Sequence, residues 1–453
     1  MLFFILFIIF IAINASYPEL DTNFGQNGKV ITDLGRNTGG VNCYHPSMHV
    51  VTQPDGKIII VADIYSNNIF ASTEIVDSDF LLIRYNPDGS LDKSFGNQGV
   101  VALKISTSED PDDFAFDIAL QKNGKIIVVG QTWQRGGGLS DGVLLRLNQN
   151  GSLDQSFGNQ GIIIENYYGH IISGFFRVKL QDDEKIIVVG SEGLGAPNAD
   201  PIEKSYRQFF IARYIKEGKI DTSFGENGYA SSPLQDYEMS FIDAIHIQKN
   251  GIILVAGATN DVRTADEWKE PLKHTGVVRS YHPDGSLNES FGTKGTVILP
   301  NMAILDIIEQ EDGKILAVGF SYNAGHNTHC WKIIQLLPNG QLNYDFNKIF
   351  NENNPIEGTI QKCAAKNIIV SSTNKILVTG YAELDGKNCF AVACYNEDGS
   401  LDENWGNEGK LYTTFDSYHD KSLALSLQDN KLIVVGESFN GTYFNIALAR
   451  FLL

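Results

Sequence analysis

Few residues in this 453-residue chain have the types and spacing that chemistry demands. "HNTHC" at 326–330 offers His326, His329 and Cys330, but it reads as a loop and carries no carboxylate at a fixed spacing. A metal site is not expected there. "QTWQRGGGLSDG" (131–142) is Gly-rich, yet it follows a strand-like run and opens no helix that would cradle a phosphate. No G-x-S-x-G elbow occurs, and no Ser, His and Asp set stands apart from background. No cofactor, metal or catalytic set is therefore expected. The five Cys (43, 330, 363, 389, 394) show no C-x-x-C spacing. Cys389 and Cys394 fall in one strand on opposite sides, too far apart to bridge. Small buried thiols are expected, with one or two long-range disulfides left open.

One carboxylate does recur, in a motif of the form L-D-x-x-F-G-x-x-G. "GSLDKSFGNQGVV" occupies 89–101 and "GSLDQSFGNQGII" occupies 151–163. The acid stands at Asp21, Asp92, Asp154, Asp221 and Asp402, but Asn288 and Asn343 take its place in two copies. A neutral amide in the same role points to capping of the next turn rather than to catalysis or calcium.

The motif must be positioned by something that repeats. Its aromatic recurs at Phe24, Phe95, Phe157, Phe224, Phe291, Phe346 and Trp405, at intervals of 71, 62, 67, 67, 55 and 59 residues. That period suits a four-stranded unit. In the second unit the apolar pieces are "FDIALQ", "KIIVVGQT", "VLLRLN" and "GIIIEN", all short, β-branched and bounded by turn signals. Asp-Gly and Asn-Gly in "QPDGK" and "QKNGK" supply the positive φ of a tight hairpin. No window sustains a helical period. The sequence therefore predicts an all-β fold, a seven-bladed β-propeller of four-stranded blades occupying 17–453 as one domain. "ARFLL" at the C-terminus lies over "IRYNP" (83–87), and "YPELDTNFGQNGKV" lies over "DGSLDKSFGNQGVV". The N-terminal strand, about 28–34, is then expected to join the last blade and close the ring.

These units resemble the delta-60 repeats of bacterial proteins, a propeller family of unknown function. The resemblance implies an architecture and export, and no reaction. The sixth copy of the motif, "LNYDFNKIF" (342–350), departs from it by losing both glycines.

Composition narrows the partners. Net charge is −19, which repels phosphate backbones and anionic headgroups, so nucleic acid is not expected. Residues 1–16, "MLFFILFIIFIAINAS", hold an apolar run too short to cross a bilayer but suited to an export signal cleaved after Ala15 or Ser16. The mature chain is expected to be periplasmic or extracellular, monomeric, and without an integral membrane span. The sialidase Asp box would put a Trp after its turn, where "PDGSLDKSFG" has none. Four Trp are too few for the Trp-per-blade pattern of quinoprotein dehydrogenases.

Aligning the innermost strands places His49, Asp117, Arg177, Ala244, Asp306, Asn367 and Ala424 at one position. Neighbouring blades would set Asp117 against Arg177 at the mouth of the central channel. Turns after first and third strands share one face and are nearly identical copies. The other face carries dissimilar loops, and binding residues concentrate on loops held by a rigid frame. The ligand-contact candidates are therefore Tyr44, His45, His49, Asp117, Trp133, Arg135, Arg177, Trp268 and His274. The function expected is a non-catalytic scaffold binding a protein or carbohydrate ligand on that face. The alternative is an exported propeller hydrolase or lyase with its site at the channel mouth.

Overall fold

The computed structural model describes residues 18–35, 48–65, 78–105, 111–134, 139–165, 173–194, 206–231, 239–260, 274–323, 328–352, 363–384, 386–415 and 419–453. Its strands sort into antiparallel meanders that follow chain order. After β1 (Lys29–Thr32) comes a first meander of β2 (His49–Thr52), β3 (Ile58–Tyr65), β4 (Ser78–Tyr85) and β5 (Val100–Leu103). The next holds β6 (Pro111–Leu120), β7 (Ile126–Gln134), β8 (Leu139–Leu147) and β9 (Ile162–Glu165). It is followed by β10 (Ser173–Leu180), β11 (Ile186–Leu194), β12 (Tyr206–Tyr214) and β13 (Tyr229–Ser231). Then come β14 (Met239–Ile247), β15 (Ile253–Asn260), β16 (His274–Tyr281) and β17 (Thr296–Pro300).

Among its described residues the next unit has three strands, β18 (Ala303–Glu309), β19 (Ile315–Asn323) and β20 (Thr328–Leu336). Where its neighbours form the glycine-containing turn of the motif, the chain forms α1 (Tyr344–Glu352), which inserts Phe346 and Phe350 into the core. Most of the place of a fourth strand falls on 353–362, outside the described residues. The helix corrects the expected absence of helix. The two glycines lost from that copy of the motif were what allowed the left-handed turn in the other copies, for example Gly96 and Gly99 with φ of 50° and 100°. The series continues with β21 (Ala364–Val370), β22 (Ile376–Leu384), β23 (Lys387–Tyr395) and β24 (Lys410–Thr413). It ends with β25 (His419–Gln428), β26 (Lys431–Phe439) and β27 (Phe444–Leu452), on which β1 lies antiparallel with Lys29 opposite Ala449.

First strands pack on one another in succession, β2 on β6, β6 on β10, β10 on β14, β14 on β18, β18 on β21, β21 on β25 and β25 on β2. Between units lie apolar layers, one of which joins Phe24, Ile58, Ile60 and Tyr85 to Ile433, Val435 and Leu448. Such interlayer burial is the main stabilising term in a stack of sheets. Cys389 and Cys394 enter two different layers, as strand alternation requires.

The recurring carboxylate is more than a cap. Asp92 Oδ1 accepts the Ser94 amide at 3.0 Å and its hydroxyl at 2.6 Å. Its Oδ2 accepts Nε of Arg84, on β4, at 2.8 Å and pairs with Lys57 Nζ at 3.2 Å. Arg84 also stacks over Phe95 at 4.4 Å and donates to the Gln149 carbonyl of the next unit. Arg146 with Asp154, and Arg213 with Asp221, repeat this arrangement. Where the arginine position holds Ser280, the motif carries Asn288, whose Nδ2 donates to Ser280 Oγ at 3.1 Å. Where it holds Gln335, the motif carries Asn343, again donating to that side chain. Both amides thus stand where the arginine is absent, whereas Asp402, with Cys394 at the arginine position, is paired with Lys375 Nζ at 2.8 Å.

Candidate functional site

Each described first strand from β6 onward carries a β-bulge at one register, between Ala115 and Asp117, Phe175 and Arg177, Ile242 and Ala244, Ile304 and Asp306, Ala365 and Asn367, and Ser422 and Ala424. A bulge adds one residue and breaks the two-residue alternation. It also drives a carbonyl onto the second strand, where glycine makes room: a Cβ on Gly130 would lie 2.0 Å from the Phe114 oxygen.

The residue after the bulge latches one unit to the next. Asp117 Oδ2 accepts the Val178 amide of β10 at 2.9 Å. Asp306 Oδ2 accepts the Ile368 amide of β21 at 3.0 Å, and Asn367 Oδ1 accepts the Leu425 amide of β25 at 2.9 Å. Arg177 makes the converse bond, donating Nε to the Asp243 carbonyl of β14 at 2.5 Å. The expected Asp117–Arg177 ion pair is therefore corrected. Asp117 Oδ1 pairs instead with His49 Nδ1 at 3.2 Å, and the guanidinium is drawn to carbonyls, including that of Phe176 at 2.8 Å. A buried guanidinium saturates its donors wherever oxygens lie in plane, and here the backbone supplies them.

His49 of β2, Arg177 of β10 and Lys366 of β21 act on one another although these first strands are not neighbours. Burial lowers the His49 imidazole to about 4; the Asp117 carboxylate opposes this, while Arg177 and Lys179 reinforce it. Burial likewise lowers the Lys366 ammonium of β21 to about 8, with Asp243 and Glu437 raising it and Lys421 and Arg177 lowering it. Glu437, near the end of β26, is 2% exposed and has its carboxyl raised by burial against the pull of Lys421 and Lys366. Its Oε1 lies 3.6 Å from Lys421 Nζ, and its Oε2 has no hydrogen-bond partner.

At the same end of the strands stands an aromatic group separate from the interlayer cores: Tyr65, Phe114, Phe116 and Phe176. Phe116, at the bulge, meets Phe176, at the next bulge, with centroids 5.1 Å apart. The Tyr65 hydroxyl is held protonated by burial and by Asp63, Asp112 and Glu437. Trp133 lies opposite Asp112 in the β6–β7 pair and is 41% exposed, open to a ligand.

Of the sequence candidates, His49 pairs with Asp117, Arg177 turns to the Asp243 carbonyl, and Trp133 is exposed near the end of β7. His274 lies at the start of β16, edge-on to Phe320 at 5.4 Å. Tyr44, His45, Arg135 and Trp268 lie outside the described residues. Sequence reasoning missed Tyr65, Phe116, Phe176, Asp243, Lys366 and Glu437. Most of them sit at or beside bulges, where strict alternation assigns the wrong face; the only signal was a run such as "GFFR" that does not alternate. Among the described residues the turn face also has concavities, one of about 810 Å³ beside Gln181, Asp183 and Lys249. Several of its polar groups are already engaged, Lys185 with Asp221 and Gln248 with Glu309. No group of metal-ligating side chains occurs among the described residues.

Residues 53–95, 121–157, 310–346 and 372–404 match the family model described as "Domain of unknown function (DUF5122) beta-propeller". A search of curated proteins found no match. Among solved structures the chain is similar to a Trypanosoma rangeli sialidase in complex with sialic acid, at 10% identity and a TM-score of 0.44. That match covers 93% of this chain and 59% of the sialidase, so the chain spans about three-fifths of that protein. It is similar to the α-L-arabinofuranosidase Arb93A of Fusarium graminearum at 10% identity and a TM-score of 0.38, covering 96% of each. It is also similar to the β-propeller domain of the Trilobed protease from Pyrococcus furiosus, at 7% identity and a TM-score of 0.42, covering 89% of this chain and 94% of that one. The matched repeats, about a third of the chain, make it similar to that β-propeller family, and its succession of antiparallel meanders makes the fold all-β.

Proposed function

We propose that the chain is an exported, monomeric, seven-bladed propeller, closed by β1, that binds a carbohydrate at the lumen mouth without transforming it. The exposed ring of Trp133, on the strand that pairs with the one carrying the buried Phe114 and Phe116, carries this reading. Sugar rings stack their C–H faces on aromatic rings and give their hydroxyls to nearby charged groups. Trp133 supplies an exposed stacking face, and Lys366, Lys421 and Glu437 supply the polar wall. Asp117 and Arg177 hold the wall in place by joining units. The contact of β25 on β2 and the pairing of β1 with β27 support the closed ring. Cleavage after Ala15 or Ser16 leaves a chain that starts at Ser16 or Tyr17, with 17–453 as the propeller.

A panel of neutral and acidic oligosaccharides titrated calorimetrically into the purified protein tests the reading. Binding that Trp133→Ala weakens at least tenfold, with the melting temperature kept, is the expected result. Binding of none of the panel, or binding untouched by Trp133→Ala, refutes it. A second reading, glycoside hydrolysis, is favoured by one observation: Glu437 has a raised carboxyl and an unengaged Oε2, as a general acid requires. Turnover of a bound oligosaccharide that Glu437→Gln abolishes would replace the binding-only reading.

A further inference from the structure

The junction between the unit of β18, β19 and β20 and its successor brings two thiols side by side. Elsewhere in the fold, the third strand of one unit meets the first strand of the next through a parallel bridge, Ser78 with Asp112 and Arg207 with Met239. One residue further along, Asp79 and Asp113 are neighbours. The bridges Tyr85–Leu91 and Leu336–Leu342 align Asp79 with Cys330, and the bulges at 115/117 and 365/367 align Asp113 with Cys363. By this alignment Cys330, on β20, and Cys363, just before β21, take adjacent positions where these two strands touch. Adjacent strands lie about 4.8 Å apart, inside the Cα range of about 4.4–6.8 Å that a disulfide needs. The side chains agree with the backbone: Cys330 acts on the Cys363 thiol and raises it, while the Trp331 backbone opposes this. Cys330 is half-buried and reachable from solvent, whereas Cys363 is buried, its thiol pushed up to about 12 by burial and then by Cys330.

We propose that Cys330 and Cys363 form an inter-blade disulfide on oxidation, a covalent clasp at the junction that follows the unit whose motif turns helical. With a small disulfide such as oxidised glutathione as oxidant, the Cys330 thiolate attacks one sulfur and releases a glutathione thiolate. Cys363 gives its proton to solvent and attacks the Cys330 sulfur of the mixed disulfide, releasing the second glutathione. The protein loses two hydrogens and one glutathione disulfide becomes two thiols. The high Cys363 pKa makes the second step the slow one.

The test is oxidation of the full purified chain with oxidised glutathione, followed by non-reducing peptide mapping and thermal melting. The expected result is a linked peptide pair containing Cys330 and Cys363, with Cys389 and Cys394 still thiols. The melting temperature should rise by a few degrees and return after treatment with dithiothreitol. Cys330→Ser should remove both the link and the rise. A glutathione adduct that persists on Cys330, a link of either residue to Cys43, or two unmodified thiols after exhaustive oxidation each overturns the proposal.

Discussion

Arg450 Nε donates to Asp21 Oδ2 at 2.9 Å across 429 residues of sequence, and Lys431 Nζ lies 2.8 Å from the same oxygen. Arg450 also stacks over Phe24 at 4.4 Å and donates to the Pro87 carbonyl. This is the Arg84–Asp92–Phe95 arrangement assembled from the two ends of the described chain. Asp21→Ala leaves two cations facing each other in a buried place and should cost about 3 kcal/mol. In a double-mutant cycle with Arg450→Met, followed by urea unfolding, the two changes should be strongly non-additive. Removal of 17–34 should cause aggregation or gross destabilisation; an unchanged melting temperature would detach β1 from any role in stability.

The same arrangement has a pH signature. Burial alone would raise the Asp21 and Asp221 carboxyls, but their partners outweigh it and hold both near 2. A carboxyl lowered in the folded state contributes stability above its unfolded value of 3.8, and that stability is lost as pH falls toward 2. His49 and His246 act at higher pH. Burial lowers both to about 4 from an ordinary 6.5, so the unfolded chain takes up their protons first. Stability should therefore begin to fall as pH drops below about 6.5 and continue falling to about 4. Denaturant midpoints across a pH series spanning that window check this, and His49→Gln should flatten the upper part of the slope.

Whether a copy of the motif carries Asp or Asn should follow the cation rather than the place in the chain. Asn288→Asp sets a carboxylate beside Ser280 with no guanidinium and should destabilise by about 1–2 kcal/mol. Adding Ser280→Arg should recover much of that loss. Failure of the arginine to rescue, measured by equilibrium unfolding, would show that the Arg–Asp pairing does not decide between acid and amide.

Asp117 is a latch between units. Asp117→Ala removes the acceptor of the Val178 amide and the partner of His49, at a cost of about 2–3 kcal/mol. Asp117→Asn keeps one acceptor oxygen and should cost less. Coupling should appear with His49→Ala.

The bulge register makes a steric prediction. A Cβ on Gly319 would lie 1.8 Å from the Ala303 carbonyl oxygen, backbone that has little freedom to move. Gly319→Ala should cost about 3 kcal/mol, read as a lowered urea midpoint with an unchanged slope.

Turns and strand pieces were legible in the sequence because they are local. Gly96 and Gly99 permit left-handed backbone at a fixed offset from Phe95, and alternating β-branched runs declare strands whatever lies next to them. The loss of those glycines flagged the sixth copy of the motif, although not that "YDFNKIF" would turn helical and seat Phe346 and Phe350 in the core. The eight-residue spacing of Arg84 to Asp92, Arg146 to Asp154 and Arg213 to Asp221 stood in the sequence unread, since an arginine on a strand shows no partner until the strand bends back over its own turn. What joins different units had no local trace. His49 meets Asp117, Phe116 meets Phe176, and Arg177 turns from a carboxylate to the Asp243 carbonyl, because a bulge shifts each first strand by one residue against its neighbours. A bulge of that kind is a compromise between packed layers, so it exists only once the layers are in place.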